Sequence, residues 1–300
     1  MNDFLQICEV GLRDGLQNDP MVVPTEGKKR LMTGLVEAGL SYIESASYVR
    51  PSAVPQMGDS DEMMRWGREQ WPDLLQTGLI FNQKGYDRAL ESGCRAVALA
   101  LTVTESFCRA NNRMSIPESL AIAKSVIEQA HRDGVWVRVY LSTAWVCPFE
   151  GPTPPDRTIS LAETVWAMGI DELSVADTIG YADPVAVGRL MERLGKRLGM
   201  ERLAVHLHDT QALGLANVMA AIQAGVRIVD ASLGGLGGCP FAPGAAGNLA
   251  TEDAVFLAYK LGLGTGVDFP ALMGLLPLVE ELVGHPVGGR IRAWYDNNQR

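Results

Sequence analysis

Eight short runs of β-branched and other apolar residues recur along the chain, most of them separated by segments with helical periodicity. No other feature constrains the fold as strongly. The runs are LQICEV (5–10), YIESA (42–46), LQTGLI (75–80), RAVALAL (95–101), VWVRVYLS (135–142), DELSVAD (171–177), RLAVHLH (202–208) and VRIVDAS (226–232). Between them, stretches such as TEGKKRLMTGLVEAGL, SLAIAKSVIEQAHRDG and ANVMAAIQAGV repeat apolar residues at intervals of three and four, and often close on glycine. Strand–helix alternation on this scale favours a parallel sheet built from βα units. Eight units predict an α/β fold, a (β/α)8 TIM barrel forming one domain over residues 1–300, with the segment from about 252 onward as the last barrel helix and C-terminal capping helices. The rival is a doubly wound open sheet. Its G-x-G-x-x-G fingerprint is missing, because the nearest approach, Gly235-x-Gly237, meets Pro240 where the third glycine belongs.

Composition narrows the partners. With 47% hydrophobic and 20% charged residues the chain can bury one large core. A net charge of −9 without any Lys/Arg run argues against a nucleic-acid partner, so an anionic ligand has to be held by local basic groups. The opening MNDFLQICEV has no basic n-region, and no apolar run approaches the ~18 residues of a membrane span, so a cytoplasmic protein without membrane contact is expected. Cys8, Cys94, Cys108, Cys147 and Cys239 are odd in number and widely spaced, which points to free thiols.

In a TIM barrel the active site lies on the loops at the C-terminal ends of the strands. GLRDGLQND after the first strand brings Arg13, Asp14 and Gln17 there; Glu44 lies in the second strand, Asp177 ends the sixth, and His206 and His208 end the seventh. Residues two apart on a strand share a face, so both imidazoles are expected in the lumen. Metal ligation is favoured over a hydrogen-bonded core pair, with Asp209 either orienting an imidazole or capping the next helix. Asp14 is the natural third ligand across the mouth, and Asn248, otherwise a turn residue, can supply an amide oxygen. Two nitrogens and two hard oxygens suit a labile Mg²⁺ or Mn²⁺, with zinc on Cys239 as the alternative. Glu44 and Asp177, read as lumen carboxylates, each need a partner or a place in the metal shell; Asp177 is a plausible proton-accepting base, and structural pairing with Arg13 is the alternative for both. The glycine-rich GGLGGCPFAPGAAGN (234–248) permits close backbone approach and closure around Cys239 and Asn248.

The motifs VGLRDGLQND, YIESASYVRPSAVPQMGD, CPFEG, ADTIG, VHLHDT and GLGGCPFAPGAAGNLATED together resemble the 3-hydroxy-3-methylglutaryl-CoA lyase family of metallolyase-type TIM barrels, over nearly the whole chain. The RDG-x-Q and His-x-His elements are shared with condensing synthases and carboxyltransferase domains; the cysteine loop is far more specific to the lyases. The resemblance implies that Asp14, His206, His208 and Asn248 bind the divalent cation, that Arg13 and Cys239 are catalytic, and that Glu44 and Asp177 lie on the substrate side. It also implies an acyl-CoA thioester substrate, a homodimer, and a place in leucine catabolism or ketone-body formation.

The implied chemistry is retro-Claisen cleavage: a metal acidifies the C3 hydroxyl, Asp177 is a candidate base for its proton, the C2–C3 bond breaks, Arg13 stabilises the thioester enolate, and Cys239 returns a proton to carbon. Gln17, with Asn111 in RANNRMS (109–115), is expected to order substrate. The chain departs from the family pattern at DTQALGLAN, at ALALTVTESF and at Trp145. These departures fall near the acyl pocket and leave room for a related substrate such as a citramalyl-CoA or a longer-chain 3-hydroxyglutaryl-CoA, while a condensing transferase would normally carry Gly-Glu-Arg in place of GGCPF.

Overall fold

A computed structural model describes residues 3–238 and 247–298. The elements follow in chain order. Strand β1 (Gln6–Glu9) leads through a short π-helical turn to α1 (Thr25–Glu37) and β2 (Tyr42–Ser47), then α2 (Ser60–Gln70), β3 (Leu75–Ile80) and α3 (Gln83–Glu91). Next come β4 (Ala96–Thr102), the single turn α4 (Glu105–Phe107), α5 (Ile116–Asp133), β5 (Trp136–Ser142) and a small hairpin of β6 (Val146–Cys147) and β7 (Gly151–Pro152). The second half runs α6 (Pro155–Trp166), β8 (Glu172–Asp177), α7 (Pro184–Leu198), β9 (Leu203–Leu207), α8 (Gly214–Gln223) and β10 (Ile228–Ala231). Four further helices follow: α9 (Thr251–Lys260), α10 (Phe269–Met273), α11 (Leu276–Val283) and α12 (Arg292–Asn298).

Eight strands close into a barrel in the order β1-β10-β9-β8-β5-β4-β3-β2, and every pairing within it is parallel. Each of the eight predicted runs is one of these strands. The hairpin β6–β7 is too short for a periodic signal, and it inserts between the fifth strand and its helix. Helix boundaries follow local chemistry. Ser115 and Glu118 form a reciprocal capping box at the start of α5, and Gly134 in the left-handed region ends it. Asp183 accepts from the amides of Val185 and Ala186 to start α7. The main core lies between barrel and helices, where outward strand residues such as Val137, Val139, Val175, Val205 and Leu207 meet helical residues such as Ala162, Leu190 and Val218. Among the described residues no helix is long and apolar enough to cross a membrane.

The C-terminal segment returns to the mouth. Asp253 accepts from the amides of Arg290 (2.7 Å) and Ile291 (2.9 Å), and Glu252 from those of Gly234 (3.0 Å) and Gly289 (2.6 Å). Two buried carboxylates on α9 thus tie the last residues to the root of the glycine-rich loop.

Candidate active site and metal centre

The lumen is polar at its centre because alternate residues of several strands are polar or charged. Paired positions Cys8, Asp230, His206 and Ala176 form one row around β1, β10, β9 and β8. At the end of β1 the chain turns into a π-helical stretch, Gly11–Gly15, that carries Arg13 and Asp14 to the mouth. Gly15 permits the turn to lie flat on the loop after β10: a Cβ there would stand 2.8 Å from Ser232 Oγ and 3.0 Å from the Leu236 Cβ. Past the glycine-rich loop, Asp209 donates its amide to Gly247 O at 3.1 Å and an antiparallel bridge pairs His208 with Asn248, which sets the asparagine beside the imidazoles. A side chain at 247 would run into the Gly237 carbonyl.

Asp14, His206 and His208 each bring a ligand atom within 4.8 Å of the others. His206 Nε2 lies 3.1 Å from His208 Nε2 and 3.8 Å from Asp14 Oδ2, while Asn248 Nδ2 donates to Asp14 Oδ2 at 2.8 Å. Among the described residues, two buried atoms here find no partner: His208 Nδ1 and Asn248 Oδ1. The Asn248 amide nitrogen also donates to the Leu236 carbonyl at 3.0 Å, which leaves Oδ1 as its free acceptor. Two imidazoles, a carboxylate and an unsatisfied amide oxygen are a donor set that fits a divalent cation.

Electrostatics favour ligand forms. Burial pushes the Asp14 carboxyl up, but the Arg13 guanidinium and the imidazoles outweigh it and hold it well below the usual carboxylate range. Burial, then the neighbouring His206, lowers His208 to about 4, so its ring is neutral near pH 7 and has a lone pair to give. Arg13 is 5% exposed and contacts both Asp14 and Glu44. Burial lowers its pKa, and these two carboxylates more than restore it. Glu44 Oε2 also accepts from the Tyr140 hydroxyl at 3.4 Å; desolvation raises its pKa despite Arg13 and Arg138.

A cavity of about 280 Å³ opens over these groups, lined by Arg13, Asp14, His206 and His208 together with the apolar Leu79, Phe81, Ala100 and Phe107. Gln17 and Asn111 line it too, and both continue into an adjoining groove of about 800 Å³ that carries Arg50, Lys84, Arg88 and Arg113. Thr143, at the end of β5, is buried with φ of 58°, an unusual conformation for a β-branched residue; its amide bonds Thr178 Oγ1 at 2.8 Å.

Several expectations change. Asp177 does not face the lumen. It pairs with Leu207, which belongs to the barrel–helix core, while its neighbours Ala176 and Thr178 line the cavity. Its carboxylate accepts from the amides of Tyr181 (3.1 Å) and Ala182 (3.0 Å), so it shapes the loop after β8 rather than standing ready as a base at the substrate hydroxyl. Asp209 lies four residues before the N-cap Leu213 and braces the start of α8, its Oδ1 accepting from Gly214 N at 2.8 Å and its Oδ2 from Arg290. Cys239 lies outside the described residues. Sequence reasoning missed Arg138, Tyr140, Glu172 and Asp230, four polar residues inside predicted strands, although the two-residue spacing of Arg138 and Tyr140 in VWVRVYLS places them on one face.

Comparisons with known proteins identify the family and the fold. The HMGL-like family model matches residues 4–279. A hydroxymethylglutaryl-CoA lyase of Bacillus subtilis is 39% identical over 284 residues, covering 95% of each chain. Among solved structures, a hydroxymethylglutaryl-CoA lyase from Pseudomonas aeruginosa superposes with a TM-score of 0.95 at 38% identity, covering 100% of this chain and 99% of that one. An HMG-CoA lyase from Acinetobacter baumannii, solved in complex with coenzyme A and 3-methylmalate, gives 0.92 at 38% identity over 97% and 95% of the two chains.

Proposed function

This chain belongs to the HMGL-like family, and from that premise we infer that it is a carbon–carbon lyase that cleaves 3-hydroxy-3-methylglutaryl-CoA to acetyl-CoA and acetoacetate. The observation that carries the reading is the meeting of Asp14, His206 and His208 at the mouth beside a buried Arg13. The cation they would hold, with Asn248 as fourth ligand, is Mg²⁺ or Mn²⁺; when bound it supplies Lewis acidity at the C3 hydroxyl.

The rest falls to the chain's own residues. The hydroxyl proton passes to solvent water at the mouth, C3 becomes the ketone of acetoacetate as the C2–C3 bond breaks, and the electron pair of that bond passes to C2 and the thioester oxygen. Arg13, fixed between Asp14 and Glu44, is preorganised to donate to that oxygen as charge develops. Cys239 is the proposed donor of the proton that C2 takes up. The groove with Arg50, Lys84, Arg88 and Arg113 suits the phosphates of coenzyme A, and Gln17 and Asn111, shared by groove and cavity, are placed to order the acyl arm between them. The apolar wall of Leu79, Phe81, Ala100 and Phe107 faces the C3 substituent. The assembly in solution is proposed to be a homodimer, and the location cytoplasmic.

The test is release of acetyl-CoA and acetoacetate from the substrate, with and without EDTA and with Mg²⁺ or Mn²⁺ restored, beside a Cys239→Ala control. Cleavage that depends on metal and is lost in the variant supports the assignment. A wild type that binds Mn²⁺ and leaves this thioester intact refutes the acyl group named here.

A further inference from the structure

Below the candidate metal centre the lumen holds a charge pair that the proposed chemistry does not use, Arg138 on β5 and Asp230 on β10, both 0% exposed at the side chain. Arg138 Nη2 donates to Asp230 Oδ1 at 2.5 Å, Nη1 reaches the Tyr140 hydroxyl at 3.3 Å, and Nε stands 3.0 Å from Glu172 Oε1. The second oxygen of Asp230 accepts from Ser174 Oγ at 3.3 Å and faces His206 Nδ1 at 3.2 Å. Asp230 and His206 are direct partners across the β9–β10 ladder, so the backbone register sets their separation. The contacts continue from Arg138 through Tyr140 to Glu44, then to Arg13 and Asp14, and return to His206, closing a circuit around the lumen.

Burying a guanidinium and a carboxylate is costly, and an apolar pair of similar volume would serve packing at least as well. The pair therefore calls for a role beyond packing. A carboxylate beside a guanidinium is an anion with acceptors only, so a hydrogen bond to His206 requires the proton on Nδ1. That leaves the Nε2 lone pair directed at Asp14 and His208, where the donor set converges.

We propose that Asp230, held by Arg138, is a positioning residue that fixes the Nδ1–H tautomer and ring orientation of His206 and so presents Nε2 to the divalent cation. The inference rests on the reading of His206 as a ligand. A carboxylate behind a metal-binding histidine typically contributes about 10–100-fold in metal affinity, and here the carboxylate is itself pinned by a cation with no access to water.

Two measurements test this. The first is the ¹⁵N shift of His206 in the metal-free wild-type protein: an Nδ1–H tautomer is expected, and an Nε2–H tautomer overturns the proposal without any variant. The second is Mn²⁺ affinity without substrate, by calorimetric titration, for wild type, Asp230→Asn and the double variant Asp230→Asn/Arg138→Met, which keeps the net charge of the lumen and serves in case the single one, with Glu172 as the only carboxylate left to Arg138, does not fold. Mn²⁺ binding weakened about 10–100-fold in a folded variant is the expected result, and unchanged affinity overturns the inference. A wild type that binds no Mn²⁺ refutes the metal-centre reading instead, and the tautomer measurement still decides what Asp230 does to His206.

Discussion

Asn248 stands opposite His208 across an antiparallel bridge, with its amide bonded to Asp14 Oδ2 at 2.8 Å and to the Leu236 carbonyl at 3.0 Å. The bridge is made by backbone, so the position survives a change of side chain. Asn248→Ala is therefore expected to fold normally and to bind Mn²⁺ about tenfold or more weakly, with activity recovered in part at high metal. Wild-type affinity in the variant would remove Asn248 from the ligand set.

Arg13 is held from two sides, by Asp14 and by Glu44. A donor poised for a developing oxyanion affects the transition state more than the bound substrate, so Arg13→Met should lower kcat by about 10²–10³-fold with a small change in KM. Glu44→Gln keeps the guanidinium and loosens one anchor, so its loss should be smaller. In the double variant the effects should be less than additive, because Glu44 acts through Arg13. Additive losses in kcat would give Glu44 a separate role.

Asp177 carries the clearest difference between sequence and structure. Its carboxylate is buried and satisfied by two backbone amides. Asp177→Ala leaves both N–H groups without that acceptor, and a cost of about 1–3 kcal/mol is expected, read as a lower midpoint in urea unfolding. An unchanged midpoint would mean that the loop finds other acceptors.

That difference shows where sequence reading succeeds and where it fails. The eight strands were legible because each combines β-branched residues with a flanking turn or helix signal. Asp14, His206 and His208 were legible because they end strands or begin loops, where the barrel geometry leaves one place for them. Asp177 was misread because LSVAD is buried on both faces in a parallel sheet, so apolar alternation does not reveal which face is the lumen. Arg138 and Asp230 left a trace, charged residues in the middle of strands, but the link between them spans the lumen from β5 to β10 and depends on barrel closure. The β6–β7 hairpin and the strap at Arg290 and Ile291 rest on contacts too local or too distant for periodicity to register.

Glu9 gives the sharpest pH prediction. It is 0% exposed and accepts from the amides of Gly11 (2.7 Å) and Leu233 (3.1 Å) and from the Thr251 hydroxyl (2.5 Å), joining the roots of the Arg13 turn and the glycine-rich loop to α9. Burial raises its pKa to about 7 from an ordinary 4.5, since those donors compensate only in part and Glu252 adds repulsion. In the unfolded chain the carboxyl loses its proton near 4.5, whereas in the folded protein it keeps that proton up to about 7. Between those values the folded state binds more protons, so stability falls as pH rises. Its contribution is complete below the unfolded value, is lost through the folded one, and is on the order of 3 kcal/mol. Asp177, raised to about 6 by burial, acts in the same direction, so wild type must be compared with Glu9→Gln rather than read alone. Urea unfolding at intervals from pH 4.5 to 8 should show wild-type stability declining more steeply than that of Glu9→Gln, whose glutamine does not titrate. Parallel curves would mean that Glu9 stays ionised in the fold, and that its three donors offset its burial completely.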